Sequence, residues 1–344
     1  MKTAVALSGG ADSLLALALL REQGSGVFAA HAFFLRPTKE MRDHANELSR
    51  ICKSLKVPFH VLDLRREFEA EIINPFIREY ASGRTPNPCA QCNAQIKFGL
   101  LMDKTRELGG KRLATGHFAR VTEHPEWGLT LSRGADKAKD QSYFLSLVLK
   151  KSLKQAVFPL GDELKKDVAA KLMQRKLKPP LPQESREICF VPQDDYRAFL
   201  EGRGLDLSGE GPILTRDNVE VGRHKGLWRH TLGQRRGMGV AHKEPLYVIG
   251  KDPAGNALIV GGRDELSART CAVERVNFLV PFEKWPDTIL VQTHYRQKPT
   301  PARAEYSNRV LRFEFLDPGP LPAPGQVGAA YTKDGVVLAG GIIS

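Results

Sequence analysis

The sequence predicts an α/β domain on a parallel sheet, followed by small antiparallel β units of a barrel-like kind. Two observations lead there. Over the first 120 residues short apolar runs alternate with helical patterns, as strand–helix units covering a parallel sheet do. After about residue 200 helix-length periodicity gives way to short alternating runs separated by Gly and Pro, the pattern of antiparallel β structure.

The elements follow in order. "TAVAL" (residues 3–7) reads as a buried strand, and a Gly turn leads from it into the helix "DSLLALALLREQG". "VFAAHAFF" is a strand, "TKEMRDHANELSRICKSL" an amphipathic helix, "FHVLDL" a strand, and "KRLATGHF" a strand ending in Gly-His. In such sheets ligands sit beyond the carboxyl ends of the strands. The later runs are "PLYVIGKD", "ALIVGG", "TILVQTHYR", "LRFEFLD" and "VVLAGGII", with an internal boundary at Gly261-Gly262. The expected organisation is a catalytic domain over residues 1–200 with a basic helical extension at about 150–200, a small central β domain over 201–262, and a C-terminal β-barrel over 263–344.

Composition narrows the class. The chain of 344 residues, 42% hydrophobic and 26% charged, has material for more than one buried core. It has no uncharged apolar run of about 18 residues, and no cleavage pattern follows the N-terminus. Neither a membrane span nor export is expected. Five scattered cysteines do not make a disulfide framework, so the expectation is a cytoplasmic protein with reduced thiols.

A net charge of +12 points to polyanionic partners. Residues 150–178 hold nine Lys or Arg against three Asp or Glu, which reads as an RNA-binding ridge or as a solvated helix face. "GRHKGLWRHTLGQRRGMG" sets Arg223, His224, Lys225, Arg229, His230, Arg235 and Arg236 around Trp228. Cations interleaved with an aromatic suit looped RNA, where a splayed base can stack.

"ALSGGADS" carries the first chemistry. Two glycines let the backbone approach a phosphate, and the helix that follows aims free N–H groups and a positive dipole end at the same spot. No Gly-Lys-Ser/Thr follows, so this is not the Walker form. It resembles the PP-loop of ATP pyrophosphatases, which cut ATP between the α and β phosphates and adenylate a substrate. The candidate ATP-binding residues are Ser8, Gly9, Gly10, Asp12 and Ser13, with Gly116 and His117 of "LATGHFAR" at a neighbouring strand end. "SRGADKAKDQSYFL" adds a polar loop, Lys139, Asp140, Gln141 and Ser142, before an apolar helix.

Cys89 and Cys92 follow "RTPNP", whose prolines fix an exposed turn. Cys189 stands in "SREICFVPQDDY", while Cys52 and Cys271 sit in apolar-periodic contexts as small packed hydrophobes. The C-x-x-C spacing points to redox or metal work. A structural zinc would want a second such pair, and none is present. Three thiolates can hold three irons of a cubane cluster and leave the fourth open, or two can exchange sulfur through a disulfide. Both readings stay open on the residues alone.

With these motifs assembled, the sequence resembles the bacterial tRNA-specific 2-thiouridylases nearly end to end. "SGGADS", "GRTPNPCAQCNAQIKFG", "TGHFAR", "KDQSYFL", "FPLG", "EICFVPQDDYRAFL", "TLGQRRGMGVA", "PLYVIGKD", "HYRQ" and the terminal "GGII" stand in family order. The resemblance implies a Rossmann-like PP-loop domain that uses ATP and Mg²⁺ to activate C2 of the wobble uridine, position 34 of tRNA. It implies sulfur carried as a persulfide on Cys189, delivered by a cysteine desulfurase or a relay protein, with Cys92 releasing it. The implied tRNA contacts are Lys139, Asp140, Gln141, Ser142, Lys165, Lys166, Arg235 and Arg236. At Cys89 some family members carry an Asp regarded as a general acid/base, a role this chain cannot inherit. Cys89, Cys92 and Cys189 together also resemble the ligands of iron–sulfur-dependent thiolation enzymes, so a 4Fe–4S cluster on the three is the competing expectation. "HAFFLRPTKEMRDHA" is shorter than the usual insert after the second strand. Two other functions compete, a PP-loop ligase acting on a small metabolite and an RNA-binding scaffold without turnover. The three thiols and the basic β regions speak against the first, the intact SGGxDS against the second.

Overall fold

The computed structural model describes every residue except Ser25, residues 182–187 and residues 205–206. The first part of the "SREICF" stretch therefore lies outside the described residues, whereas Cys189 lies within them.

Strands β1 (Thr3–Ala6), β2 (Val27–Phe33), β3 (Phe59–Asp63) and β4 (Arg112–Ala114) lie parallel. Strands β5 (Ala119–His124) and β6 (Gly128–Arg133) form a separate hairpin, and β7 (Ala156–Val157) completes the parallel sheet in the order β3-β2-β1-β4-β7. Helix α1 (Ala11–Glu22) is apolar almost all round because it is buried on two sides. Leu17 and Leu20 pack on Val5 and Ala29 of the sheet, while Leu14, Leu15 and Ala16 meet Phe118, Val168 and Leu172. Helix α2 (Lys39–Ser54) is amphipathic; Thr38 caps it by accepting from the Met41 N–H, and Ala45, Leu48 and Cys52 face inward.

Between β3 and β4 the chain is helical, and two stretches wind as π-helix, Glu69–Ile73 and Cys92–Leu101. This winding is rare and concentrates at functional sites. No periodicity argument anticipates it, since the i→i+5 phase differs from that of an α-helix.

The segment over residues 150–178, part of the expected basic helical extension, is broken into short elements. It runs through the short helix Lys150–Leu153, edge strand β7, the 3-10 turn Lys165–Asp167 and the helix Val168–Gln174.

Strands β8 (Gly211–Thr215), β9 (Glu220–His224), β10 (Tyr247–Asp252) and β11 (Ala257–Gly261) form a second sheet, ordered β10-β11-β8-β9, in which β11 and β8 are parallel and the other pairs antiparallel. Strands β12 (Ser267–Phe278), β13 (Ile289–Gln292), β14 (Thr300–Ser307), β15 (Val310–Pro320), β16 (Val327–Tyr331) and β17 (Val337–Ile343) close into an antiparallel barrel filled by Val273, Val291, Leu311, Phe313 and Leu338.

The barrel is bound to the first domain by directed contacts. The Gln326 side-chain amide donates to the carbonyls of Thr85 and Pro86 at 3.0 and 3.2 Å. The Thr85 N–H donates to the Pro324 carbonyl at 2.8 Å, and Arg84 donates to the Ile343 carbonyl at 3.0 Å. The proline turn before Cys89 is thus held by the far end of the chain. Among the described residues no helix is long and apolar enough to cross a membrane.

Candidate active site

The PP-loop is built at the carboxyl end of β1. Gly9 has φ +93°, and a Cβ there would overlap the His44 ring, so both backbone and space demand glycine. Ser13 is buried; its hydroxyl donates to the Gly10 carbonyl at 3.0 Å and accepts from the Gly9 N–H at 3.2 Å. The Ser8 hydroxyl donates to Ser13 Oγ at 3.1 Å. A Cβ on Gly116 would strike the backbone of Asp12 and Ser13, so glycine lets the chain after β4 lie against the first turn of α1. The result is an anion cradle at the N-terminus of a twelve-residue helix.

Lys165, expected on the RNA face, points instead into this loop. Its ammonium lies 2.6 and 2.7 Å from the two carboxylate oxygens of Asp12 and 5.7 Å from the Phe118 ring centroid. Two histidines absent from the sequence reading also face the loop. His44 Nε2–H donates to the Ser8 carbonyl and His31 Nδ1–H to the Leu7 carbonyl, each at 2.9 Å, and burial holds the His31 imidazole below its ordinary value. His31 lies near the carboxyl end of β2, where ligands collect, and was legible on that ground. His44 required the rotation of α2.

His117 is a packed loop histidine. It shares a 2.7 Å hydrogen bond with the Thr115 hydroxyl, packs against Phe98 and Phe158, and is driven well below its ordinary pKa by burial. The polar loop after it, where RNA contacts were expected, is largely engaged within the fold. Asp140 accepts from the N–H groups of Gly134 and Ser142 at 3.1 Å each, from the Ser142 hydroxyl at 2.8 Å and from Arg133 at 3.3 Å. Gln141 accepts from the Phe118 N–H at 3.0 Å, and Ser142 is fully buried. Lys139 is half-buried with partners of its own. A charge buried this way needs its partners to stay where they are.

All five cysteines are unbridged, and Cys52 and Cys271 are buried as expected. Cys89, Cys92 and Cys189, though distant in sequence, come close enough that ionising one opposes ionising another. Cys89 and Cys189 open on solvent along one side and Cys92 is half-buried. Even so, the protein around the thiols pushes Cys92 to about 12, Cys189 to about 11 and Cys89 upward, burial being the largest cause in each case. Among the described residues one cation opposes this at all three thiols and also acts on His117. It is Lys97, a residue the sequence reading quoted within its motif without assigning it a role.

The turn that presents the pair is fixed on both sides. Asn87 Oδ1 accepts from the Ala90 N–H at 3.1 Å, and Asn93 donates to the Phe144 carbonyl at 3.1 Å. Among the described residues no group of three or more His, Cys, Asp or Glu side chains is placed to hold a metal ion.

Of the basic residues, Lys150 donates to the Trp127 and Leu279 carbonyls, Lys171 pairs with Glu163, and Arg175 pairs with Glu22. Lys151, Lys154, Lys166, Lys176 and Lys178 remain exposed, as do Arg223, Lys225, Arg235 and Arg236. Trp228 is not a stacking platform: it is 4% exposed, its ring N–H donates to the Ser208 carbonyl, and Arg229 covers its face at 4.4 Å. His224 and His230 are buried with it.

Three family models match the chain: a tRNA methyl transferase HUP domain over residues 1–193, a tRNA methyl transferase PRC-barrel domain over residues 197–262, and an aminomethyltransferase beta-barrel domain over residues 268–343. The chain is 56% identical to the tRNA-specific 2-thiouridylase MnmA of Nitratidesulfovibrio vulgaris (strain DSM 19637 / Miyazaki F), over 100% of this chain and 99% of that one. It is 47% identical to the protein of the same name in Lawsonia intracellularis, again over 100% and 99%. A looser likeness runs to the U34-tRNA thiolase NcsA from Methanococcus maripaludis with its 4Fe–4S cluster, 20% identical over 59% of this chain and 65% of that one, with a TM-score of 0.39.

Proposed function

The chain belongs to the family of tRNA-specific 2-thiouridylases, and from that membership we propose that it replaces the C2 oxygen of the wobble uridine of tRNA with sulfur at the expense of ATP. The observation that carries this reading is the meeting of three unbridged thiols from residues 89, 92 and 189 in one electrostatic neighbourhood, with His117 linking them to the loop that abuts the PP-loop. The family description speaks of methyl transfer. Thiols beside an adenylating loop serve sulfur transfer, and the full-length relatives bear that name.

The chemistry needs both halves. A urea-like carbonyl is a poor electrophile, so its oxygen attacks the α-phosphorus of ATP, pyrophosphate departs and the N3 proton is lost. Ser8, Gly9, Gly10 and Ser13 supply the cradle for the phosphates, and Lys165 the positive charge beside them. Asp12 is the loop's one carboxylate, a hard oxygen donor of the kind Mg²⁺ takes. Sulfur then arrives as a persulfide on Cys189, supplied by a cysteine desulfurase or a relay protein. The terminal sulfur attacks C2 and AMP leaves. The Cys92 thiolate attacks the Cys189 sulfur, forming a Cys92–Cys189 disulfide and leaving the outer sulfur on C2, where N3 regains its proton. A thiol reductant restores the pair.

The three-part division into residues 1–200, 201–262 and 263–344 assigns catalysis to the first part and substrate support to the others, and the boundaries of the matching family models lend it support. Phosphate contacts fall to Lys166, Arg235, Arg236 and the exposed lysines near them, a salt-dependent term. A uridine within a stacked anticodon must be turned out to be reached. The cytoplasm, where its tRNA is found, is the compartment this reading assigns.

The test is ATP-dependent 2-thiouridine formation on total tRNA by anaerobically purified protein, with iron and acid-labile sulfide measured on the same sample. Thiolation by iron-free protein is the expected result. Activity that tracks about four irons per chain, the content of a cubane, would replace the persulfide route by the cluster, and tRNA binding without turnover would reduce the protein to a scaffold.

A further inference from the structure

Lys97 lies on the π-helical stretch Cys92–Leu101, five residues after Cys92. An α-helix would turn position i+5 well away from position i. The i→i+5 winding brings it back toward the same side. The unusual helix therefore returns Lys97 toward the side of the helix on which Cys92 lies.

The ammonium is half-buried, with no hydrogen bond and no carboxylate partner among the described residues. Three other half-buried lysines are engaged: Lys150 with carbonyls, Lys165 with Asp12, Lys171 with Glu163. Lys97 instead acts on Cys89, Cys92 and Cys189, and among the described residues no carboxylate does. A half-desolvated cation beside three sulfurs, with no anionic partner among the described residues, is complementary to an anion formed there during the reaction.

We propose that Lys97 is the fixed counter-charge for the anionic sulfur of the reaction, the persulfide on Cys189 before it attacks and the Cys92 thiolate that releases it. Lys97 exchanges no proton in this role and touches the sulfur atoms only through charge. The role rests on the thiolation reading above. Burial opposes every sulfur anion at this site, so a cation held in place beforehand lowers the barrier of the sulfur steps and leaves adenylation unaffected. A lysine serving only the fold would not divide the two steps.

The experiment uses full-length protein, total tRNA, ATP and a persulfide-loaded donor, and measures two products in a single turnover: tRNA-dependent AMP, and 2-thiouridine by mass spectrometry. Lys97→Met is expected to form AMP within about twofold of wild type while 2-thiouridine formation falls roughly 100-fold, the scale of losing one preorganised charge-stabilising group. Lys97→Arg keeps the charge and is expected to recover 2-thiouridine formation to within about tenfold of wild type. Wild-type thiolation by Lys97→Met overturns the proposal, as does equal loss of both products. If Lys97→Met does not fold, Lys97→Arg decides alone: loss of 2-thiouridine with its melting temperature intact overturns the role. Wild-type protein that makes AMP but no 2-thiouridine fails the thiolation reading itself, and the role of Lys97 falls with it.

Discussion

Lys165 grips Asp12 across 153 residues of sequence, with both carboxylate oxygens within 2.7 Å of its ammonium. The pair puts a cation at the mouth of the PP-loop, beside the N-terminus of α1. Charge-assisted hydrogen bonds contribute about 1.5–3 kcal/mol each, so Lys165→Ala should weaken ATP binding roughly 10- to 100-fold. Affinity for tRNA without ATP should stay at the wild-type value. Titration calorimetry with each ligand reads both quantities, and the reverse pattern would return Lys165 to the RNA face.

Asp140 tests the other reassigned motif. Its side chain is 4% exposed and accepts from three protein groups besides Arg133. Asp140→Ala leaves the Arg133 charge without its partner, at a cost of about 3–5 kcal/mol. A melting temperature lower by roughly 5–10 °C is expected for a chain of this size. Binding of tRNA well below that temperature should be unchanged. A variant with wild-type melting and weakened tRNA binding would restore a surface role.

What the sequence made legible was whatever has a local signature. The β1–α1 switch shows in "ALSGGADS" because turn glycines, strand and helix are contiguous, and the change after residue 200 shows because period 2 replaces period 3.6. At Asp140 and Trp228 polarity and charge pattern carry no burial: four donors around the carboxylate and an arginine lying on the indole face are tertiary facts. Lys165, His44 and Lys97 escaped for related reasons. Each owes its place to a crossing distant in sequence or to a helix phase, and the i→i+5 winding at Cys92 has no compositional mark.

Gln326 gives the barrel a share in the chemistry. Its amide bridges the Thr85 and Pro86 carbonyls, and Gly325 beside it, at φ +92°, lies so close to Thr85 that a Cβ would crowd it. Gln326→Ala removes both donors and loosens the turn that aims Cys89 and Cys92. We expect kcat for thiolation to fall about tenfold, since small misplacements of a reacting group are costly. KM for ATP should hold, because the PP-loop is built from other elements. Steady-state kinetics on tRNA and ATP separate the two, and an unchanged kcat would leave Gln326 a purely structural clamp.

The last prediction concerns acid stability. His230 is 4% exposed and its Nδ1 accepts from the Gln234 side-chain amide at 3.3 Å, so the folded ring is neutral. Burial first, then the neighbouring His224, Arg197, Lys251 and Arg229, hold it at about 4, against an ordinary value near 6.5. Between those values the unfolded chain takes up a proton that the folded chain refuses. Stability is therefore full above about pH 6.5 and is lost as pH falls toward 4. His31, His117 and His224 are shifted the same way and add to the slope. His230→Gln should narrow the difference in melting temperature between pH 7.5 and pH 5 relative to wild type, as read by scanning calorimetry in matched buffers. An undiminished difference would mean that the folded protein accepts the proton at His230 without strain, which the Gln234 donor and the surrounding cations oppose.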